Sequence, residues 1–424
     1  MLSLQKQTTL PIMPKMVPFR GYRARPEFAG HVSTIAFESI DQPEELHHPE
    51  AFPYTYLRAV KPDLFDAALQ QKPAAIHKAA RDHFEYLVGE GILVQDEKAA
   101  LYIYRQVDQG FAYTGILGLA STSDYQHHLI KKHEATQAAK EQAIVDYFQQ
   151  VGINGSPVLL TYDDDGRLEA ELRRTIQHTP DYDFWSPIDA KRHQMWVRDD
   201  QAFQDLARDS MQASPAFYIA DGHHRCAATA RWREQDPQPA NQWFMAFWLS
   251  TSQMNIHSFN RLIRDIPGLE APGFVAQLRQ AGVAVQAIDP PHRSILSRQE
   301  LLLWIQGYWF HLTLPRTWMN EEHPASQLEV TQLQEYILKP MLGITDSRTD
   351  ERIQYAYGSG EPAAMGDKAA REGYQAVFLP PPIAVHQLLR VADLGGHMPP
   401  KSTWVEPKLR SGLLIHSFEQ VIEK

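Results

Sequence analysis

The chain has little of several things that would declare a function at once. Cysteine occurs once, as Cys226, which excludes an internal disulfide and a cysteine-rich zinc site. The longest apolar runs, such as Trp243 to Leu249, fall far short of the ~20 residues that a membrane-spanning helix needs. The opening stretch Met1-Leu-Ser-Leu-Gln-Lys-Gln-Thr-Thr-Leu10 holds no continuous apolar core, so no signal peptide is expected. Lysine and arginine form no cluster, and the formal net charge is -10. A general nucleic-acid binder would show a basic stripe instead. Motifs that announce common chemistries are also missing. There is no Gly-x-x-x-x-Gly-Lys-Ser/Thr loop, no Gly-x-Gly-x-x-Gly after a strand, no Gly-x-Ser-x-Gly elbow and no His-Glu-x-x-His, which disfavours P-loop, Rossmann, serine-hydrolase and metalloprotease sites. These absences point to a cytoplasmic protein with neither membrane nor nucleic acid as partner.

What is present is enough for a large core. At 424 residues, with 43% hydrophobic and 22% charged residues, two or three ordinary globular domains are expected. The most informative stretch is Ser214-Pro-Ala-Phe-Tyr-Ile-Ala-Asp-Gly-His-His-Arg225. Ala216 to Ala220 reads as a buried strand, and Asp221-Gly222 breaks it, because glycine takes backbone angles closed to other residues. Cys226-Ala-Ala-Thr-Ala-Arg-Trp232 has helical composition. A helix is therefore predicted to begin within two residues of His223. Helix N-termini favour anions. Arg225 adds a planar fork for phosphate or carboxylate oxygens, and His223 and His224 can donate, accept or shuttle a proton near neutral pH.

Helical and strand patterns alternate along the rest of the chain. Helices are expected at 74–87, 142–149, 202–211, 327–338 (ended by Pro340) and 383–389. Strands are expected at 101–107 and 111–119, joined as a hairpin, and at 158–162, 243–249 and 255–263. The Pro-containing stretch from Ala287 to Arg293 reads as a linker. The predicted class is α+β, with mixed, largely antiparallel sheets and flanking helices. Two further segments carry charge. Ile130-Lys-Lys-His-Glu-Ala-Thr136 offers His133 and Glu134 as a proton-transfer pair beside two lysines, or simply a solvated helix end. Pro- and Gly-rich loops near the C-terminus hold Lys401, Lys408 and Arg410, and such loops often hold anion ligands. His193, three residues before Trp196, reads as structural.

Taken together, Tyr218-Ile-Ala-Asp-Gly-His-His-Arg225, Ile130 to Thr136, His193-x-x-Trp196, Thr349-Asp-Glu-Arg-Ile-Gln-Tyr355, Met398-Pro-Pro-Lys-Ser-Thr403 and Pro407-Lys-Leu409 closely resemble a large bacterial family of unknown function marked by the Asp-Gly-His-His-Arg signature. The resemblance runs from about Pro18 to Phe418. The signature is in turn similar to that of the ParB and sulfiredoxin superfamily, which includes free-serine kinases carrying Asp-Gly-His-x-Arg. In those enzymes the turn holds phosphate at a helix N-terminus, and a carboxylate elsewhere activates the substrate hydroxyl.

The resemblance implies a ParB/sulfiredoxin-like core over residues 18–265, a flexible N-terminus over 1–17 and a second α/β lobe over 266–424 completing the cleft. It implies a small-molecule phosphotransferase, a free serine or amino-acid kinase using pyrophosphate, ADP or ATP as donor with Mg²⁺. The alternative is a ParB-like nucleotide-binding regulatory protein. In the first scheme Asp221, Gly222, His223, His224 and Arg225 bind the transferring group, and Glu38 or Glu134 takes the acceptor proton. His133, Arg261, Lys401 and Lys408 contact the phosphorylated ligand. Three departures stand out. Ala36-Phe-Glu38-Ser39 replaces the usual Pro-Tyr-Asp, Cys226 stands where the family has Tyr, and Ser258-Phe-Asn-Arg261 replaces Pro-Thr-His-Arg. A sulfiredoxin-like thiol step would need Cys within the turn, where His223 stands.

Overall fold

A computed structural model of the chain describes residues 13–35, 53–108, 110–292, 296–357 and 360–419. It divides into two compact units. The first comprises 1–131, 136–253 and 407–424, and the second comprises 132–135 and 254–406. The division thus falls at 253/254 and not at 265/266, and the segment from Pro407 onward belongs to the first unit. The cause is sheet membership: Phe259–Ile263 pairs with Ile353–Tyr357 and Ala376–Leu379 of the second unit. The class is α+β with largely antiparallel pairing, as the composition and patterning predict.

The first unit is built on a nine-stranded mixed sheet. Its centre is the hairpin of Leu101–Asp108 and Phe111–Ser121, closed between Asp108 and Phe111. Trp243–Ser250 lies antiparallel to Phe111–Ser121 and parallel to Val158–Tyr162. Gly115 makes that first pairing possible, since a Cβ there would sit 2.3 Å from the Trp248 carbonyl and 2.5 Å from the Phe247 ring. Phe217–Asp221 follows, antiparallel to Val158–Tyr162 and parallel to Ile130–Lys131. Nearly every residue of these central strands is buried, which is why they read as continuous apolar runs without alternation. Met16 and Val17 pair with Ala120 and Leu119, so the end of the expected flexible N-terminus is an ordered edge strand whose Met16 joins the core.

The second unit carries a six-stranded sheet, Ala284–Ile288, Tyr308–Thr313, Glu300–Ile305, Ala376–Leu379, Phe259–Ile263 and Ile353–Tyr357, every pair antiparallel. Period-two alternation divides its side chains between two cores. Leu301, Leu303 and Ile305 pack with Phe274, Leu278 and Ile337, whereas Leu302 and Trp304 pack with Ala369 and Tyr374.

Three expectations change. Ala287 and Ile288 belong to an edge strand rather than a linker. The expected strand 255–263 is two, with Asn255–His257 pairing to Trp404–Glu406 in a separate ladder. The helix expected to stop before Pro340 instead passes through it, as Glu329–Gln332, a π-helical Leu333–Leu338 and Lys339–Leu342, and ends at Gly343 with φ +67°. A π turn re-spaces the ladder where proline supplies no N–H, so the ring is accommodated. Among the described residues, no helix is long and apolar enough to cross a membrane.

Candidate functional site

The signature folds as its residues dictate. Phe217–Asp221 is a strand, with Phe217, Ile219 and Ala220 buried. Its pairing with Val158–Tyr162 slips between Ile219 and Asp221, a bulge of the kind that re-aims a strand end. Gly222 then takes φ +97°, ψ 28°, and the helix His223–Gln235 begins. Gly222 supplies no capping side chain, where Ser, Thr, Asp or Asn would ordinarily accept a first-turn N–H. The first helical bond is from Arg225 N to the Gly222 carbonyl at 3.0 Å. The helix is Ala-rich because it is buried almost all round. Its Ala228 and Trp232 pack on Val145 and Phe148 of Ala138–Val151.

Arg225 folds back over the turn. A Cβ on Gly222 would lie 2.7 Å from its Nη2 and 3.0 Å from its Nε, so glycine is required both by the positive φ and by the guanidinium that covers it. Nε of Arg225 is buried and has no hydrogen-bond partner among the described residues. Lys408 Nζ donates to Asp221 Oδ2 at 3.4 Å, with side-chain exposures of 22% and 46%. At that exposure and distance the pair is worth at most about 1 kcal/mol, so an incoming charge can replace either partner. His223 is buried at the first helical position and His224 is half-buried. Lys131 stands with Nζ 5.5 Å from the Tyr218 ring. Cys226 is fully buried, and burial pushes its thiol well above the usual range.

His133, Glu134, Arg261 and Lys401 belong to the second unit. His133 and Glu134 lie in irregular backbone with a bend at Glu134, not at a helix end, since the next helix starts at Ala138. His133 is fully buried, and its carbonyl accepts from Met398 N at 2.8 Å. Arg261 is buried in Phe259–Ile263. It donates to the Phe259 carbonyl and, at 3.2 Å, to the Lys401 carbonyl, with Tyr355 5.5 Å away. Burial pulls its pKa down to about 10, which still leaves it charged at neutral pH. Lys401 is exposed, adopts φ +54° and stands 5.3 Å over the Phe259 ring. Glu38 lies outside the described residues.

Sequence patterning missed a buried polar chain in the first unit. Gln106 Nε2 donates to the Lys408 carbonyl at 2.7 Å and to Tyr104 Oη at 3.0 Å. Tyr104 Oη lies 2.8 Å from His193 Nδ1, and His193 Nε2 lies 3.1 Å from Asp189 Oδ2. Arg410 Nη1 stands 3.3 Å from both Asp189 oxygens and also donates to Ser186 Oγ at 2.9 Å. Burial tends to raise the Asp189 pKa, but His193 and Arg410 outweigh it and hold it at about 2. Burial pushes Tyr104 up and His193 down. The sequence signals were Gln106, a polar residue that is buried between Arg105 and Val107, together with His193 and Arg410, and none of them announced the others.

Residues 16–335 match the family described as a protein of unknown function, DUF1015, and the chain belongs to that family. No curated protein sequence matches it. Among solved structures it is similar to a free serine kinase in complex with AMP, at 12% identity over 70% of this chain and 91% of that one, with a TM-score of 0.36. It is also similar to a conserved hypothetical protein from Pyrococcus furiosus, at 11% identity, 72% and 97% coverage and a TM-score of 0.36. A third similar structure is SbnI with a C-terminal truncation from Staphylococcus aureus, at 10% identity, 70% and 87% coverage and a TM-score of 0.38.

Proposed function

We propose that the Asp221–Arg225 turn is the phosphoryl-binding site of a small-molecule phosphotransferase with a ParB/sulfiredoxin-like core. The acceptor in this proposal is an amino acid such as free serine, and the donor is pyrophosphate or a nucleotide. One observation carries it: a buried guanidinium Nε without a hydrogen-bond partner, folded over a glycine at φ +97° where a helix begins. An unsatisfied charged donor is costly to bury, and a phosphoryl oxygen at the helix N-terminus would satisfy it.

In phosphoryl transfer the protein acts mainly by positioning and charge stabilisation. Arg225 and the first-turn amides would hold the equatorial oxygens, with His223 and His224 donating to them. Lys408 would move from Asp221 to the ligand. Glu38 would accept the acceptor's proton. Among the described residues, no group of three or more His, Cys, Asp or Glu side chains is placed to hold a metal. Mg²⁺ bound mainly through phosphate oxygens and water needs one or two carboxylates. Half-exposed Asp221 fits that requirement, and the ion would neutralise charge on the phosphoryl oxygens.

The test is a matrix of donors (pyrophosphate, ADP, ATP, CTP) against free amino acids, read by phosphorus NMR, with titration calorimetry on Arg225→Ala and Arg225→Lys. Arg225→Ala should weaken donor binding by roughly 10- to 100-fold. Arg225→Lys should recover part of it, since Lys keeps the charge but not the bidentate fork. Donor binding unchanged in Arg225→Ala rejects the site.

A further inference from the structure

We propose that Gln106, Tyr104, His193, Asp189 and Arg410 are positioning residues that hold Lys408 against Asp221, and that they do so through a closed ring whose two ends lie on the same short stretch, 408–410. One end is the Lys408 carbonyl, taken by Gln106. The other is the Arg410 guanidinium, taken by Asp189 and Ser186 and, through Nε and Nη2, by Ser33. A lysine ammonium on a flexible stem has no direction of its own. Fixing the backbone on both sides of the stem supplies one.

The protons in the ring can be ordered in only one way. Gln106 Nε2 must face the Lys408 carbonyl, because the reversed amide would set two oxygens 2.7 Å apart. Its second N–H then meets Tyr104 Oη. The tyrosine hydrogen therefore goes to His193 Nδ1, and Nε2–H of His193 goes to Asp189. This requires a neutral tyrosine, a neutral imidazole and an ionised carboxylate, which is the state each environment favours. The orientation leaves Gln106 Oε1 buried without a partner among the described residues. A residue kept only to fill the core would be apolar at that position. Here both donors are used and an acceptor is left empty, so what the side chain supplies at this position is the donor facing Lys408.

The proposal rests on the phosphoryl-site reading only for its ligand arm; its primary test needs no ligand. Lysine acylation by a water-soluble acetyl ester, quantified residue by residue by mass spectrometry, reports how firmly Lys408 is held. Gln106→Leu should raise the Lys408 rate several-fold, to the rate seen in Asp221→Asn, and the double variant should be no faster than Asp221→Asn alone. Tyr104→Phe, which removes one hydroxyl and keeps the ring, should give a smaller rise in the same direction. Lys78 and Lys98, elsewhere in the unit, should label as in the wild type and so report an intact fold. A Lys408 rate that is unchanged in Gln106→Leu, or that rises only in step with Lys78 and Lys98, overturns the proposal. In the ligand arm, pyrophosphate should bind about 10-fold more weakly to Gln106→Leu, and this loss should vanish on a Lys408→Met background. Failure of the wild type to bind pyrophosphate would reject the phosphoryl site, and ligand-free labelling would still decide the ring.

Discussion

Replacing Gly222 separates the two reasons for a glycine at the turn. Gly222→Ala places a side chain at φ +97°, a left-handed conformation that costs an L-residue about 1–2 kcal/mol. The new Cβ would also stand 2.7 Å from Arg225 Nη2. That atom ends a flexible side chain, so the guanidinium gives way and the backbone does not. The expected stability loss is therefore the backbone term alone, about 1–2 kcal/mol, read as a lower urea midpoint. Affinity falls for the other reason. Displacing a charge-assisted donor costs about 1.5–3 kcal/mol, roughly 10- to 100-fold in pyrophosphate affinity by calorimetry. Gly222→Asn tells the two apart. Asparagine tolerates the left-handed region better, so it should regain most of the stability while its Cβ still displaces Arg225 and affinity stays low. On an Arg225→Ala background, Gly222→Ala should keep its stability cost and lose its affinity cost. Wild-type stability in Gly222→Ala would refute the backbone argument. Wild-type affinity in both Gly222 variants would refute the role given to the covering guanidinium.

Three further outcomes follow from burial. His416 is buried against Phe19 and Phe418, and burial lowers its pKa to about 3. Its folded pKa lies below the unfolded value of about 6.5, so the unfolded state binds more protons between those limits, and stability falls as pH drops below 6.5, by up to about 1.4 kcal/mol per unit. His83, lowered to about 4 by burial, adds with the same sign. His416→Leu should flatten this slope in urea midpoints taken between pH 7 and pH 4.5; an unchanged slope would refute it. Arg410→Met should cost about 2–4 kcal/mol, since it removes a fully buried guanidinium and leaves the half-buried Asp189 with His193 alone, whereas Arg192→Met, on the exposed pair with Asp183, should cost under about 1 kcal/mol; equal losses in chemical denaturation would remove the distinction. Cys226→Ser should lower stability by about 1–3 kcal/mol, since it puts a hydroxyl into an apolar core, and leave turnover within a few-fold. Abolished turnover in a folded Cys226→Ser would revive a thiol mechanism.

The sequence is most legible where the signal is local. The strand, the glycine break and the helix after His223 sit within a residue of their expected places because each follows from neighbouring residue types. The hairpin at 108–111 was equally plain. Legibility stops where the partner is distant. Nothing near Asp221 announces Lys408, 187 positions away. Nothing near Ile153 announces the ladder it makes with Ser417. Pro340 misled because the rule that proline ends a helix presumes α-helical spacing, and the turn before it is π-helical. His193 looked structural and is buried as a structural residue would be. Its significance lies in what its two nitrogens touch, and spacing along the chain does not encode that.

The segment after Glu406 shows why the site cannot be understood from the signature alone. It follows the second unit in the chain and returns to the first, where Arg410–Ser411 pairs with Thr34–Ile35, Ile415 bridges Tyr22, and His416–Ser417 pairs with Ile153–Asn154. Each of these ladders is only two residues long or a single bridge, too short to hold by backbone bonds alone. Buried side chains anchor the segment instead: Arg410 on Asp189 and Ser33, Ile415 in one core, and Phe418 on Phe148 and Trp232 in another. Trp232 lies on the same helix that begins at His223. One stretch of chain therefore sets Lys408 at the start of that helix and packs Phe418 farther along it. The family model covers residues 16–335, so the cation that meets Asp221 lies outside that span and reaches the turn only through this returning segment.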